Sequence, residues 1–107
     1  MKKLLIATLF VAVSAHAGDY QHQSALLGIC KMQAKMGMMI AHAKKTGEPS
    51  AVNVAMFRDG DPGLYELTTN TERIALENAD MGQQFVAERV GMWCLDNAES
   101  IIRKHRR

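Results

Sequence analysis

Residues 69–104, TNTERIALENADMGQQFVAERVGMWCLDNAESIIRK, decide how the rest of the chain is read. They open on Thr69-Asn70-Thr71-Glu72, which has the S/T-x-x-E form of a capping box. In that motif the threonine hydroxyl accepts from the Glu72 amide while the Glu72 carboxylate reaches back to the Thr69 amide. No proline follows, and glycine occurs only at Gly82 and Gly91, so one long helix is predicted from Thr69 to Lys104. At about 100° per residue, Leu76, Ala79, Gln83, Ala87, Val90, Cys94, Ala98 and Ile101 share one face, a core stripe broken once by Gln83. A second stripe, Ile74, Met81, Phe85 and Met92, lies roughly opposite. A helix apolar on two faces needs two covers. The N-terminal helix supplies one; the middle of the chain or a partner protein supplies the other.

The chain begins with a basic Met1-Lys2-Lys3, continues through an apolar Leu4–Val13 and reaches Ala15-His16-Ala17, an A-x-A cleavage signature. Together these predict a secretory signal peptide, residues 1–17, cleaved after Ala17. The apolar run is too short to span a bilayer comfortably, so no transmembrane segment is expected in the mature chain. The expected address is the periplasm of a Gram-negative bacterium, with secretion as the other destination. Cleavage leaves 90 residues, 18–107, one small domain with as many acidic as basic residues. The basic pI therefore belongs partly to the signal peptide and is no argument for nucleic acid. A domain of this size has a modest core and benefits from a covalent staple.

Cys30 and Cys94 are the only cysteines. In an oxidising compartment such a pair reads as one disulfide, and no C-x-x-C redox motif is present. The bridge would close a loop of about 65 residues, for which chain entropy gives roughly 4 kcal/mol. Cys30 lies in a second helical pattern, Tyr20–Thr46, which Asp19 can cap. Lys44, Lys45, Gly47 and Pro49 provide its stop. Cys30, Ala34, Gly37 and Ala41 form a stripe of small residues. With the cysteines opposed and the helices antiparallel, Ala34 falls near Gly91 and Gly37 near Ala87, allowing the close approach a disulfide requires. Between the helices, Ser50 can cap a short helix through Phe57 or Arg58 that Gly60 ends, and Asp61-Pro62-Gly63 is a turn or the cap of a single helical turn through Tyr65. The expected fold is all-α: an antiparallel pair of long helices with a short helical middle segment, stapled by one disulfide. A basic tail, residues 103–107, ends it.

The cysteine opening an Ala/Gly/Met-rich helix, the Lys-Lys-Thr-Gly-Glu helix end and the late cysteine closing a Phe-containing helix occur in Cys30–Glu48 and Ile74–Cys94. This layout resembles a recurring type of small proteobacterial secreted or periplasmic protein with no settled activity. The resemblance implies the fold and the address and carries no mechanism.

Four residue groups invite chemistry. Met36, Met38, Met39 and His42 are candidates for Cu(I) or Ag(I), because thioethers suit soft cations; the competing reading is that methionine fills irregular core space. Ile74, Met81, Phe85 and Met92 are candidates for binding a partner. Arg103, Lys104, Arg106 and Arg107 are candidates for an anionic envelope surface, against the reading that cations simply suit a helix C-terminus. Asp59-Gly60-Asp61 starts like a calcium loop but lacks its later ligands. No G-x-S-x-G, H-E-x-x-H or zinc spacing occurs, so no enzyme and no resident cofactor is expected. The reading reached is a non-enzymatic protein that binds another envelope protein as an inhibitor, immunity-type or accessory factor. Copper binding and peripheral envelope binding are the alternatives.

Overall fold

The structure is a computed structural model that describes residues 17–106; the expected signal peptide, apart from Ala17, and Arg107 fall outside this range. The described residues are helical without strands. Helix α1 spans Ala17–Thr46, a 3-10 turn Val54–Phe57, α2 Pro62–Asn78, a second 3-10 turn Ala79–Met81, and α3 Gln83–His105. The three helices pack on one another.

Three contacts set the direction of α3 against α1. Cys30 is bonded to Cys94, a Cβ on Gly37 would approach Val90, and Gln83 Nε2 donates to Met38 O at 3.3 Å. Numbers rise on one helix as they fall on the other, so this is the expected antiparallel stapled pair, with an S–S distance of 2.05 Å and a Cα separation of 5.5 Å. Helix α2 runs the other way. Gln33 meets Thr68 and Thr71, and Lys44 Nζ donates to Leu76 O at 3.0 Å, so α1 and α2 are parallel. A parallel neighbour cannot follow through a tight turn, because the chain must first return along α1. At 1.5 Å per helical residue that return is about 25 Å, within the reach of residues 47–61. The middle segment therefore has a mechanical task, and α2 belongs to it as much as the 3-10 turn does.

The predicted helix Thr69–Lys104 is in fact two. Asn78 Nδ2 bonds Ile74 O at 2.8 Å and Gly82 takes φ 99°, a conformation that costs an L side chain strain. Its carbonyl then accepts the Val86 amide to start α3. The cap also lies further upstream than Thr69. Asp61 Oδ1 accepts from the Gly63 and Leu64 amides at 2.8 and 3.2 Å with Pro62 at N1. This opens a helix of 17 residues and not a single turn, while Thr69 sits inside it donating to Tyr65 O. At the other end of the molecule, α1 already includes Asp19, and it stops as expected at Gly47, with the Glu48 amide bonded to Ala43 O. The 3-10 turn is capped by Asn53 in place of Ser50.

Breaking the helix resets the phase of the stripe. Ala79, Val90, Cys94, Ala98 and Ile101 are buried as expected, but Leu76 and Gln83 are exposed and Val86 takes a fully buried place. Two apolar clusters result. One holds Ile40, Ala41, Ile74, Ala75, Ala79, Val86 and Val90; the other holds Cys30, Leu67, Cys94, Ala98 and Ile101, and half-buried Trp93 packs against both. Within this core the Gln33 amide is fully buried: Thr71 Oγ1 donates to its oxygen at 2.6 Å and its nitrogen donates to Thr68 Oγ1 at 3.1 Å. Thr68 Oγ1 in turn donates to Leu64 O, and no buried side-chain polar atom of the described residues lacks a partner. The close approach occurs where three helices meet. A Cβ on Gly37 would lie 2.9 Å from Val90 Cγ2 and 3.5 Å from Thr71 Cγ2. Gly37 thus receives valine and threonine methyls and not Ala87, whereas a Cβ on Gly91 would meet open space.

Candidate functional site

The second stripe is divided by the turn at Gly82. Ile74 is part of the buried core on α2, whereas Met81 and Met92 are 61% and 63% exposed and Phe85 is half-buried. Met81, in the turn, and Phe85 and Met92, on α3, therefore offer apolar surface to solvent. Arg89 stands over the Phe85 ring, its Cζ 5.9 Å from the ring centre, in the geometry of a cation–π contact.

Beside Met92 an open groove of about 280 Å³ runs between α2 and α3. Ile74, Trp93 and Met92 give it an apolar part; Arg73, Glu77, Arg89 and Asp96 ring it with both signs of charge. Arg73 bonds Glu77 at 3.2 Å and Asn70 at 3.3 Å, so its guanidinium is held along α2. An apolar strip bordered by fixed charges of both signs is a surface suited to an amphipathic segment. A larger recess of about 510 Å³ lies between the return segment and α2, with Ser50, Asn53, Arg58, Tyr65 and Glu72 on its walls.

The four candidate metal residues do not share one face of α1. Two positions apart on a helix is a turn of about 200°, which places Met36 and Met38 on opposite flanks of α1. Met38 lies on the α3 side, where its carbonyl accepts from Gln83, while Met39 and His42 are exposed. Among the described residues no group of three or more His, Cys, Asp or Glu is placed to hold a metal ion.

Arg103, Lys104 and His105 of the basic tail are engaged with the domain. Lys104 Nζ and His105 Nε2 each lie 2.8 Å from Glu66 Oε1, Arg103 pairs with Glu99, and His22 Nε2 stands 3.7 Å from the same Glu99 carboxylate. Arg106 lines a shallow pocket of about 120 Å³ with His22 and Glu99. These contacts tie the end of α3 to the start of α2 and to α1, and they occupy two of the cations expected to face an anionic surface. The hydrogen bonds from Lys104 and then His105 hold the Glu66 carboxyl below its ordinary range, with partial burial opposing them. Because its folded pKa is lower than its unfolded one, this stabilisation is complete above about pH 4.3 and is lost as pH falls through the folded value. Urea unfolding of Glu66→Gln should show a loss of about 0.5 kcal/mol at neutral pH, typical of exposed pairs, that shrinks in acid. A deficit that grows on acidification would contradict this assignment.

Sequence reasoning passed over Gln33, Thr68, Thr71 and Glu66. Gln33 carried a usable signal, since it lies three residues from Cys30 and four from Gly37 and so shares their buried face. The Glu66 contacts join residues far apart in sequence and left no local trace.

No described helix is long and apolar enough to cross a membrane, and the disulfide is compatible with an extracytoplasmic location. Comparison with protein-family models, with curated proteins and with solved structures gives no match.

Proposed function

We propose that the mature chain, cleaved after Ala17 and resident in the periplasm, is a non-enzymatic protein that binds another envelope protein as an inhibitor, immunity-type or accessory factor. The observation that carries this reading is the exposed apolar groove on α2 and α3 that Met92 lines with Trp93 and Ile74, with exposed Met81 and half-buried Phe85 as further apolar surface on the turn and on α3. Methionine suits such a surface because an unbranched thioether side chain adapts its shape to a partner. Aromatic and arginine side chains, here Phe85, Trp93 and Arg89, are the types that most often anchor interfaces. The A-x-A signature, the disulfide and the resemblance to small proteobacterial envelope proteins support the address. The peripheral-surface alternative draws less support, because Arg103 and Lys104 already pair with Glu99 and Glu66.

The test uses the oxidised mature protein as bait in a periplasmic extract. Phe85→Asp with Met92→Asp should abolish capture of a stoichiometric partner while the helical circular dichroism is retained, with some loss of Tm because Phe85 is half-buried under Arg89. Met81→Asp with Met92→Asp, at the two exposed positions, separates binding from any cost at half-buried Phe85. Equal capture by wild type and both variants would overturn the assignment of this surface.

A further inference from the structure

Among the described residues, the methionines lie outside the buried core. Met32, Met39, Met56, Met81 and Met92 are 45–75% exposed, Met36 and Met38 are half-buried, and no buried residue among those described is a methionine. Core filling, the usual use of an adaptable thioether, is performed here by leucine, isoleucine, valine and alanine. Their positions distinguish one group. Met56 stands alone on the return segment, and Met81 and Met92 are separated by three turns of chain. Met32, Met36 and Met39 follow one another at spacings of four and three on one flank of α1. Such neighbours have Cβ atoms about 5–6 Å apart, and the three rotatable bonds of each side chain let the flanking thioethers gather over the middle one.

We propose that the Met32–Met36–Met39 face of α1 is a thioether site for a soft monovalent cation, Cu(I) or Ag(I). This departs from a site at Met36, Met38, Met39 and His42, since Met38 faces the other flank. Two features support it. Three thioethers are a soft, neutral donor set, which selects Cu(I) and Ag(I) over hard or divalent ions. Both cysteines are consumed in the disulfide, so no thiolate competes as a sulfur ligand. Lys35, three residues after Met32 and four before Met39, is exposed, and its charge opposes any cation, so affinity rests on the thioether donors alone. The site is independent of the surface at Met81, Phe85 and Met92.

Ag(I) is the first probe, because it needs no reductant and leaves the disulfide intact. With ε-methyl-labelled methionine in the oxidised protein, the Met32, Met36 and Met39 methyl signals should move together and saturate at a single equivalent. Met56, Met81 and Met92 should stay in place. The triple change Met32→Leu, Met36→Leu and Met39→Leu keeps apolar volume and helix propensity while removing sulfur. It should weaken Ag(I) binding, and Cu(I) binding in competition with a chromogenic chelator, by about tenfold or more. Shifts spread evenly over all exposed methionines, or equal affinity of wild type and the triple variant, would overturn the proposal. The labelled wild-type spectrum decides between these outcomes whatever the stability of the variant.

Discussion

Replacing both cysteines, Cys30→Ala with Cys94→Ala, should lower the unfolding free energy by about 3–4 kcal/mol. The bond joins residues 64 apart, and releasing a loop of that length returns roughly 4 kcal/mol of chain entropy to the unfolded state. The folded state loses something as well. Cys30 and Cys94 are 3% and 0% exposed, packed with Leu67, Ala98 and Ile101, so the sulfur atoms leave space behind. For a domain whose whole stability is about 5–10 kcal/mol, this is a large share. Alanine is the appropriate replacement, because serine would add a buried hydroxyl and confuse two effects. Urea unfolding of the variant, and of the wild type with its disulfide reduced, should agree in midpoint to within the error set by the packing term. A loss under about 1 kcal/mol would mean that the unfolded chain already holds α1 and α3 together. The result bears on the proposed address: a domain this dependent on its bond works where the bond is kept oxidised.

Replacing Gln33 by alanine should cost about 3 kcal/mol, measured in the same way. Part is the cavity left by a fully buried side chain of this size. Part is electrostatic, since Thr71 Oγ1 would lose its acceptor in a place water does not reach, and an unpaired buried polar group costs about 1–3 kcal/mol. Thr68 is less affected because its hydroxyl also donates to Leu64 O. These two contributions can be separated. Gln33→Leu with Thr71→Val removes donor and acceptor together at nearly constant volume and should be markedly milder than Gln33→Ala alone. If the double variant is as unstable as the single one, packing and not the hydrogen bonds holds this position. A milder double variant that loses its sharp unfolding transition would instead show that the polar group selects the register of α1 on α2.

How much of this was legible in the residues depends on the range of each interaction. The end of α1 at Gly47 and the presence of proline at N1 beside Asp61 follow from local chemistry and stood as expected, though the helix opened at Asp61 proved longer than one turn. The pairing of Cys30 with Cys94 was legible because two cysteines have one intramolecular partner each. The break at Gly82 was harder, because a glycine in a helical pattern is often only a weak position. Whether the chain reverses there depends on what α3 gains by folding back on α1 and α2. The candidate surface was legible in part. Met81, Phe85 and Met92 were picked out by periodicity, but periodicity carried them through Gly82 and so joined them to Ile74, which lies in the core.

The sequence by itself determined the all-α class, the antiparallel stapled pair and the identity of the apolar residues, because caps, helical period and cysteine count act over a few residues or admit one solution. Only the tertiary structure decided that α2 lies parallel to α1, that Gln33 is buried among threonines, that Glu66 gathers Lys104 and His105, and that none of the described methionines is in the buried core. Each of those depends on which helix faces which. That choice is made by packing three helices around one core, with Gly37 as the point of closest approach, and no local pattern in the chain encodes it.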